Sequence, residues 1–568
     1  MSASRSSGGD RAPVRTIAEL VRARWGDHRA GGLRCREPHA DLTHHAAAAG
    51  AAARAALLAD LLPRGAEPHV GLLLDNTAEY PLWLAAAALS GATAVGLNPT
   101  RRGAELARDI GHTECALLVT ERAHLPLLDG LPGLPARTLV TDGPAYAALL
   151  APYEDAVPGE TVVRPPEPGR RMLLTFTSGS TGAPKAVIVS QGRLAAAGQA
   201  LARQFGTGPD DVHYLCMPLF HGNAVIAGWA PALAGGAGVA LRRRFSASGF
   251  LPDVRTFGAT YFTYVGRAVQ YLLDTPARPG DARNPLRLGF GTEAGPVDAG
   301  RFTARFGVRL VEGYGSSEGG AALRHSDAAP PGAVGRAGPG EDLAVVDPET
   351  GKERPRARLG PRGRLLNPGE AIGELVNRGR TLFEGYWKNE EAAAARTRAG
   401  WYWTGDLFFR DEDGWFHFAG RADDRLRVDG ENLAAAVVEN ILARFPAARS
   451  AAVYAVPDPV SGDQVMAALA LEEPGAFAPD AFAAFLAAQP DLSTKAAPRF
   501  VRVLARMPVT ATNKIRRGEL RRAGFRGGEG QVWWTPERGA PYRRLTDGDV
   551  VALLARYREQ GREELLGR

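Results

Sequence analysis

Between residues 69 and 120, short apolar runs alternate with helical patterns, and this rhythm constrains the fold more than any other feature of the chain. His69–Leu74, Ala92–Leu97 and Ala116–Thr120 read as buried strands, separated by helices over Tyr80–Ser90 and Arg102–Ile110. Strands alternating with helices build a parallel sheet covered by those helices. The rhythm returns from Ala195 to about Leu310. From about Val334 to Phe418 it gives way to short strands and turns rich in glycine and proline. Ala451–Val456, Val465–Leu471, a helix over Pro479–Ala488 and Arg499–Val503 then form an α+β unit of ordinary domain size.

Composition excludes several classes. The 568 residues are 45% hydrophobic and 23% charged, the balance of a soluble globular chain of several domains. The net charge of +6 is spread along the sequence, which points away from a nucleic-acid patch. Cys35, Cys115 and Cys216 lie far apart without metal spacing and fit free thiols in a reducing cytoplasm. The N-terminus has no apolar core of a secretory signal, and residues 1–13 read as a disordered tail. Ala224–Leu241 carries no charge over a length that invites a membrane span. Its glycines and Pro231 instead predict a buried helix, a turn and a buried strand.

Thr175–Val187 reads TFTSGSTGAPKAV. The Walker pattern does not fit: Ala183 and Pro184 separate Gly182 from Lys185, and Ala186 stands where a magnesium-binding hydroxyl is needed. Apolar runs on both sides predict a strand–loop–strand hairpin. Its backbone N–H groups and hydroxyls suit a polyphosphate; the alternative is a flexible polar turn. Lysine usage adds a second clue. Of 68 basic residues only five are lysines, at 185, 352, 388, 495 and 514. A lysine kept in so arginine-rich a chain marks a place for a compact point charge. Lys185 lies in the loop and Lys514 in VTATNKIRRGEL; chance retention accounts for Lys352 and Lys388.

Four further stretches complete a constellation: Val311–Glu318 (VEGYGSSE), Trp403–Asp406 (WTGD), Gly420–Asp424 (GRADD) and Asn513-Lys514. With TSGSTGAPK, in this order, they resemble the adenylate-forming superfamily of acyl-CoA synthetases, non-ribosomal adenylation domains and luciferases over roughly residues 20 to 525. The resemblance implies an α/β fold. Its large N-terminal domain (14–422) has parallel α/β sheets and a small β-barrel-like subdomain. A small mobile α+β C-terminal domain (423–525) follows, and an extension (526–568) remains. It also implies ATP, Mg²⁺ and CoA, with a carboxylic acid activated as an acyl-adenylate before thioester formation. Such phosphate chemistry rests on positioning and electrostatics.

Site roles follow from the same resemblance. Thr177, Ser178, Gly179, Ser180, Thr181, Gly182 and Lys185 would cradle the β- and γ-phosphates. Gly291, Thr292, Gly315 and Ser316 would line the cofactor site, the Gly291–Pro296 loop also shaping the acyl pocket. Tyr314 would stack on adenine, the alternative being a core tyrosine. Ser317 would touch the α-phosphate and Glu318 bind Mg²⁺. Asp406 would take the ribose hydroxyls, unless it is a plain Asx-turn, and Arg421 the ribose or phosphate. Lys514 would bridge carboxylate, ribose and α-phosphate; otherwise it is a surface lysine. Asp423 stands at the hinge, and Gly430 would line the pantetheine tunnel.

Leu241–Ser248, Tyr264–Leu272 and Asp429–Asn432 resemble the branch of fatty-acid–CoA ligases and fatty-acid transport proteins. His221, in PLFHGN, would wall or gate the acyl pocket; a packed loop histidine is the alternative. Small residues at 224, 227 and 228 would leave room there for a chain or equally accept a flat ring. Arg242–Arg244 reads as a solvated turn, with CoA phosphates as a second reading. The basic 349–370 stretch reads as a surface loop. The default reading is a medium- to long-chain fatty-acid–CoA ligase of the cytoplasm. Transfer to a carrier protein or an amine, or nitrite activation, is the alternative, and the oligomeric state is open.

Overall fold

The computed structural model describes residues 14–567 apart from 178–183, 327, 331, 339–340, 362–364, 429–430, 461, 494 and 511–513. Residues 1–13 and the calls on Ser178, Gly179, Ser180, Thr181, Gly182 and Gly430 therefore fall outside the described residues. The chain forms two units. The first holds residues up to Thr263 with Asn284–Gly289 and Phe383–Ala393; the second holds Tyr264–Arg283, Phe290–Leu382 and Ala394 onward.

The first unit realises the strand–helix rhythm as a six-stranded sheet. Its order is Thr138–Val140, Leu117–Thr120, His69–Leu73, Thr93–Gly96, Arg171–Phe176 and Ala186–Ser190. The neighbours are parallel except the last pair, the expected antiparallel hairpin. Each of His69–Leu73, Thr93–Gly96 and Leu117–Thr120 is buried along its whole length, as strands covered on both faces must be. A second sheet contains the parallel strands Val212–Leu215, Gly238–Leu241 and Leu33–Cys35, with Ala40–Leu42 antiparallel at its edge. Among the described residues no helix is long and apolar enough to cross a membrane. Ala224–Leu241 divides into a π-helix (Ala224–Trp229), a short α-helix (Ala230–Gly235) and the buried strand.

In the second unit, Ala333–Gly335, Phe416–Arg421, Trp401–Arg410, Gly373–Asn377 and Leu343–Val346 make an antiparallel sheet. The basic 349–370 segment differs from a free surface loop. Glu353 pairs with Arg378 at 3.2 Å and also with Arg410, and the buried Asn367 accepts from the Arg358 N–H at 2.8 Å. Further along, Ala448–Pro457, Asp463–Leu471, Phe500–Leu504, Gln531–Trp534 and Arg543–Arg544 form a five-stranded sheet. Alternate residues of its strands feed two cores: Val453, Ala467 and Val501 on one face, Tyr454, Met466 and Phe500 on the other. The segment 526–568 is built into this unit. Gln531–Trp534 pairs with Phe500–Leu504, and Leu553 and Tyr557 of the helix Asp547–Glu559 enter the second core. Met507, Leu520 and Phe525 cover the rest of that face.

Candidate active site

The hairpin Arg171–Ser190 carries the loop that was read as a phosphate cradle. Its mouth is closed by the Thr177 N–H donating to the Lys185 carbonyl at 3.2 Å. Residues 385–387 brace its second strand: Trp387 N–H donates to Ala186 O at 2.8 Å and Ile188 N–H to Gly385 O at 3.1 Å. Asn389 donates to the Pro184 carbonyl at 3.2 Å. Thr177 and Lys185 thus stand on a fixed frame.

His221 follows a turn closed by its own N–H on Pro218 O, and its ring leans on Phe220 with centroids 4.5 Å apart. The π-helix after it has its own clamps. Tyr261 Oη donates to Ala227 O at 2.7 Å, and His213 Nδ1 meets Gly228 O at 3.0 Å. Burial lowers the His213 pKa to about 4, so this imidazole is neutral. The smallness of Gly228 serves packing: a Cβ there would lie 2.4 Å from Leu215. That residue does not leave room for an acyl chain as the sequence suggested.

Of Arg242–Arg244, read as a solvated turn, Arg242 and Arg243 are partly buried while Arg244 is exposed. Arg242 pairs with Asp253 at 2.5 Å, Arg243 with Asp75 at 3.0 Å and with Glu121, and Arg244 with Asp75 at 3.0 Å. His124 joins the buried Asp75 and Glu121, a grouping with metal-ligand spacing. The guanidinium groups already supply the countercharge that a cation would bring.

The second unit gathers the remaining motif residues. Tyr314 starts a two-residue strand paired with Ala322–Leu323, and its ring meets Phe408 edge-on at 4.7 Å. Its hydroxyl donates to Asp406 Oδ2 at 2.8 Å, and Arg421 Nε lies 3.3 Å from Asp406 Oδ1. The Asp406 carboxylate is therefore engaged by Tyr314 and Arg421 rather than in a plain Asx-turn. Burial raises its pKa, with Arg421 and Tyr314 opposing and the Glu318 charge adding. Glu318 is buried, following Gly315, Ser316 and Ser317 in the loop after Tyr314.

Two loops of this site are tied together. Gly313 N–H donates to Gly291 O at 2.8 Å, and Phe290 packs where a Cβ on Gly313 would lie 2.3 Å away. The bend at Gly313 requires glycine for that contact. Just past Gly291 and Thr292, Glu293 adopts a positive φ of 69°. The carboxylate of Glu312 holds this bend, accepting the Glu293 N–H at 2.9 Å, the Ala294 N–H at 3.0 Å and the Tyr264 hydroxyl at 2.9 Å. Burial pushes the Glu312 pKa up to about 7 against these three donors. Lys514 lies in a turn where Thr510 N–H donates to Lys514 O at 2.7 Å, and its Nζ is 3.5 Å from Glu293 Oε1. Asp423 lies in a 3-10 turn over Ala422–Asp424.

Comparisons with known proteins identify the family. The AMP-binding enzyme model matches residues 22–387, and the AMP-binding enzyme C-terminal domain model matches residues 437–514. The chain belongs to the AMP-binding enzyme family.

Within this family it is 51% identical over 559 residues to a steroid-22-oyl-CoA synthetase of Rhodococcus jostii, covering 97% of this chain and 99% of the relative. It is 44% identical over 483 residues to a medium/long-chain-fatty-acid–CoA ligase of Mycobacterium marinum, covering 85% and 91%. The fold resembles that of the anthranilate–CoA ligase AuaEII in complex with anthranoyl-AMP. The TM-score is 0.78 at 23% identity, over 89% of this chain and 97% of that one. Glu312 and Tyr264 hold the Glu293 bend beside Lys514, and motif reading missed all three. One signal was available: Glu312 is a carboxylate ending a strand immediately before Gly313-Tyr314.

Proposed function

We propose that this AMP-binding enzyme is an AMP-forming acid–CoA ligase whose acid is a steroid carboxylate of the steroid-22-oate type. The observation that carries the reading is the 51% identity to the steroid-22-oyl-CoA synthetase along nearly the whole of both chains. A medium- or long-chain fatty acid is the second reading, favoured by the 44% identity to the Mycobacterium marinum ligase. Both acids are large and apolar and would take the same acyl-binding wall.

In this reading ATP enters with its β- and γ-phosphates against the hairpin loop and Lys185. Tyr314 presents a ring beside Phe408 for the adenine, and Asp406, already oriented by Tyr314, accepts from the ribose with Arg421 beside it. The donor set fits magnesium: Glu318 offers buried carboxylate oxygen, and Ser317 precedes it with a hydroxyl. The ion would spread the negative charge of the leaving pyrophosphate. Lys514 supplies a point charge where the acid oxygen joins the α-phosphorus. Gly291, Thr292, Gly315 and Ser316 contribute backbone around the nucleotide. His221 borders the acid, Asp423 is the hinge for the second half-reaction, and Gly430 leaves the pantetheine path open.

The test uses purified protein with ATP, Mg²⁺ and CoA. The acids are a steroid-22-oate, C8 to C18 fatty acids, aryl acids, and nitrite with an aryl amine. The steroid acid is expected to give AMP and a CoA thioester with the highest kcat/KM. A fatty acid outranking it moves the assignment to the second reading. AMP formation that needs an amine or a carrier-protein thiol in place of CoA overturns the acceptor. Lys514→Ala should slow adenylation by roughly 10²–10³-fold, the usual loss for a preorganised donor, while sparing thioester formation from preformed adenylate.

A further inference from the structure

Lys514 has a carboxylate of its own chain beside it. Its Nζ stands 3.5 Å from Glu293 Oε1, and each side chain is about half exposed, at 49% and 50%. The acid of this pair is held from several directions. Its backbone bends at a φ of 69°, a conformation disfavoured for a residue with a Cβ. Its N–H is taken by Glu312 at 2.9 Å. Its carbonyl presses on Gly266, where a Cβ would lie 1.5 Å away, so the helix Gly266–Leu273 starts against it. Gly291, two residues earlier, is equally close to the Tyr264 carbonyl, at 2.2 Å for a Cβ. An exposed glutamate on a loop this constrained has a fixed origin for its side chain.

Arg517 and Glu312 also feel the Glu293 charge, but each has closer partners elsewhere. Arg517, three residues beyond Lys514, is committed to Glu439 at 2.8 Å and reaches towards Asp424 at 3.9 Å. Glu312 is turned inward to the backbone and to Tyr264. Lys514 is thus the cation within ion-pair distance of Glu293 among the described residues.

We propose that Glu293 is a placeholder carboxylate: it holds the Lys514 ammonium in the substrate-free enzyme, and the carboxylate of the incoming acid displaces it. The proposal rests on the reading of Lys514 as the adenylating lysine. An ammonium facing a glutamate and an ammonium facing a substrate carboxylate make the same interaction, so the exchange costs little. It keeps a long flexible side chain near its working position. A competing internal partner lowers the fraction of enzyme ready for the acid, and apparent affinity falls by that fraction. A half-exposed pair of this kind is weak, so the expected factor is about two to five.

Initial rates of AMP release, with the acid varied at saturating ATP and CoA, test this on the full chain. Glu293→Gln keeps shape and removes charge. Its KM for the acid should fall about two- to fivefold, with KM for ATP unchanged and kcat little altered. The difference from the unsubstituted enzyme should shrink in 1 M KCl, where the Debye length is about 3 Å. An unchanged or raised KM for the acid overturns the proposal, as does a fall in kcat alone. Lys514→Ala, run alongside, separates the two levels. Full adenylation in that variant removes the reading of Lys514. Loss of adenylation there with an unaltered Glu293→Gln removes only the placeholder.

Discussion

Asp75 and Glu121 in the first unit and Glu312 in the second are held by opposite means. In the first unit Asp75 and Glu121 face Arg243 and Arg244, charge against charge. In the second, Glu312 faces only two backbone N–H groups and a tyrosine hydroxyl among its hydrogen-bond partners. The proton equilibria follow. Burial works against the Asp75 charge, but His124 and Arg244 outweigh it and its pKa ends below the ordinary value. Burial wins at Glu312, whose pKa rises to about 7. Burial also outweighs the Arg243 charge at Glu121, whose pKa rises, so of the two first-unit acids Asp75 is the fixed charge; Glu312, with neutral donors, titrates near neutrality. The titrating one sits under the loop that meets Lys514, which is where tunable groups gather in enzymes.

The arginine side of this contrast breaks most visibly. Arg243→Met leaves Glu121 buried with its strongest countercharge gone and Asp75 with Arg244 and His124. Removing one partner of a buried pair costs roughly 3–5 kcal/mol; Arg243 is partly exposed, so about 3 kcal/mol is expected. Urea unfolding measures it. A loss below about 1 kcal/mol would mean that water, not arginine, compensates these acids.

The second region predicts a pH dependence. In the folded chain Glu312 keeps its proton to about pH 7, whereas an unfolded glutamate loses it near 4.5. Between those values the folded state binds more protons. Stability therefore declines as pH rises from about 4.5 to 7, by at most about 1.4 kcal/mol per pH unit from this group. Glu312→Gln should flatten that part of the profile. Parallel profiles for the two proteins would show that Glu312 is ionised throughout, like Asp75.

What was legible in the sequence follows the same division. Local pattern carried the parallel strands, the hairpin and the order of motifs, because each depends on residues within one element. In the tail from 526 the charged helix from Asp547 is legible from its own residues, but its docking on the sheet is not. The glycine-rich run Gly524–Gly530 looks like a linker, yet the buried Arg502 takes the carbonyls of Gly524, Gly527 and Glu529 and fixes it as a turn into another strand. The pairing of Arg243 was hidden because its acids lie far away in sequence, Asp75 by 168 residues. Tyr314 and Asp406 were named singly from their motifs; that one orients the other needed the fold. The Glu293 bend and its support from Glu312 and Tyr264 had no local signature, since three separate segments build it.

Tyr264→Phe makes the smallest and most specific change. The hydroxyl is shared between Glu312 Oε1 at 2.9 Å and the Val311 carbonyl at 3.1 Å. Its removal should cost about 1 kcal/mol, the usual net value of a hydrogen bond. Burial drives the Glu312 pKa upward and Tyr264 is the foremost donor opposing it, so the variant should titrate at still higher pH. The alkaline end of the stability decline then moves up from about 7, which a mere packing defect would not do. A uniform loss at every pH would assign Tyr264 to packing. A shift confined to the neutral range ties its hydroxyl to the Glu312 charge and, through Glu293, to the loop beside Lys514.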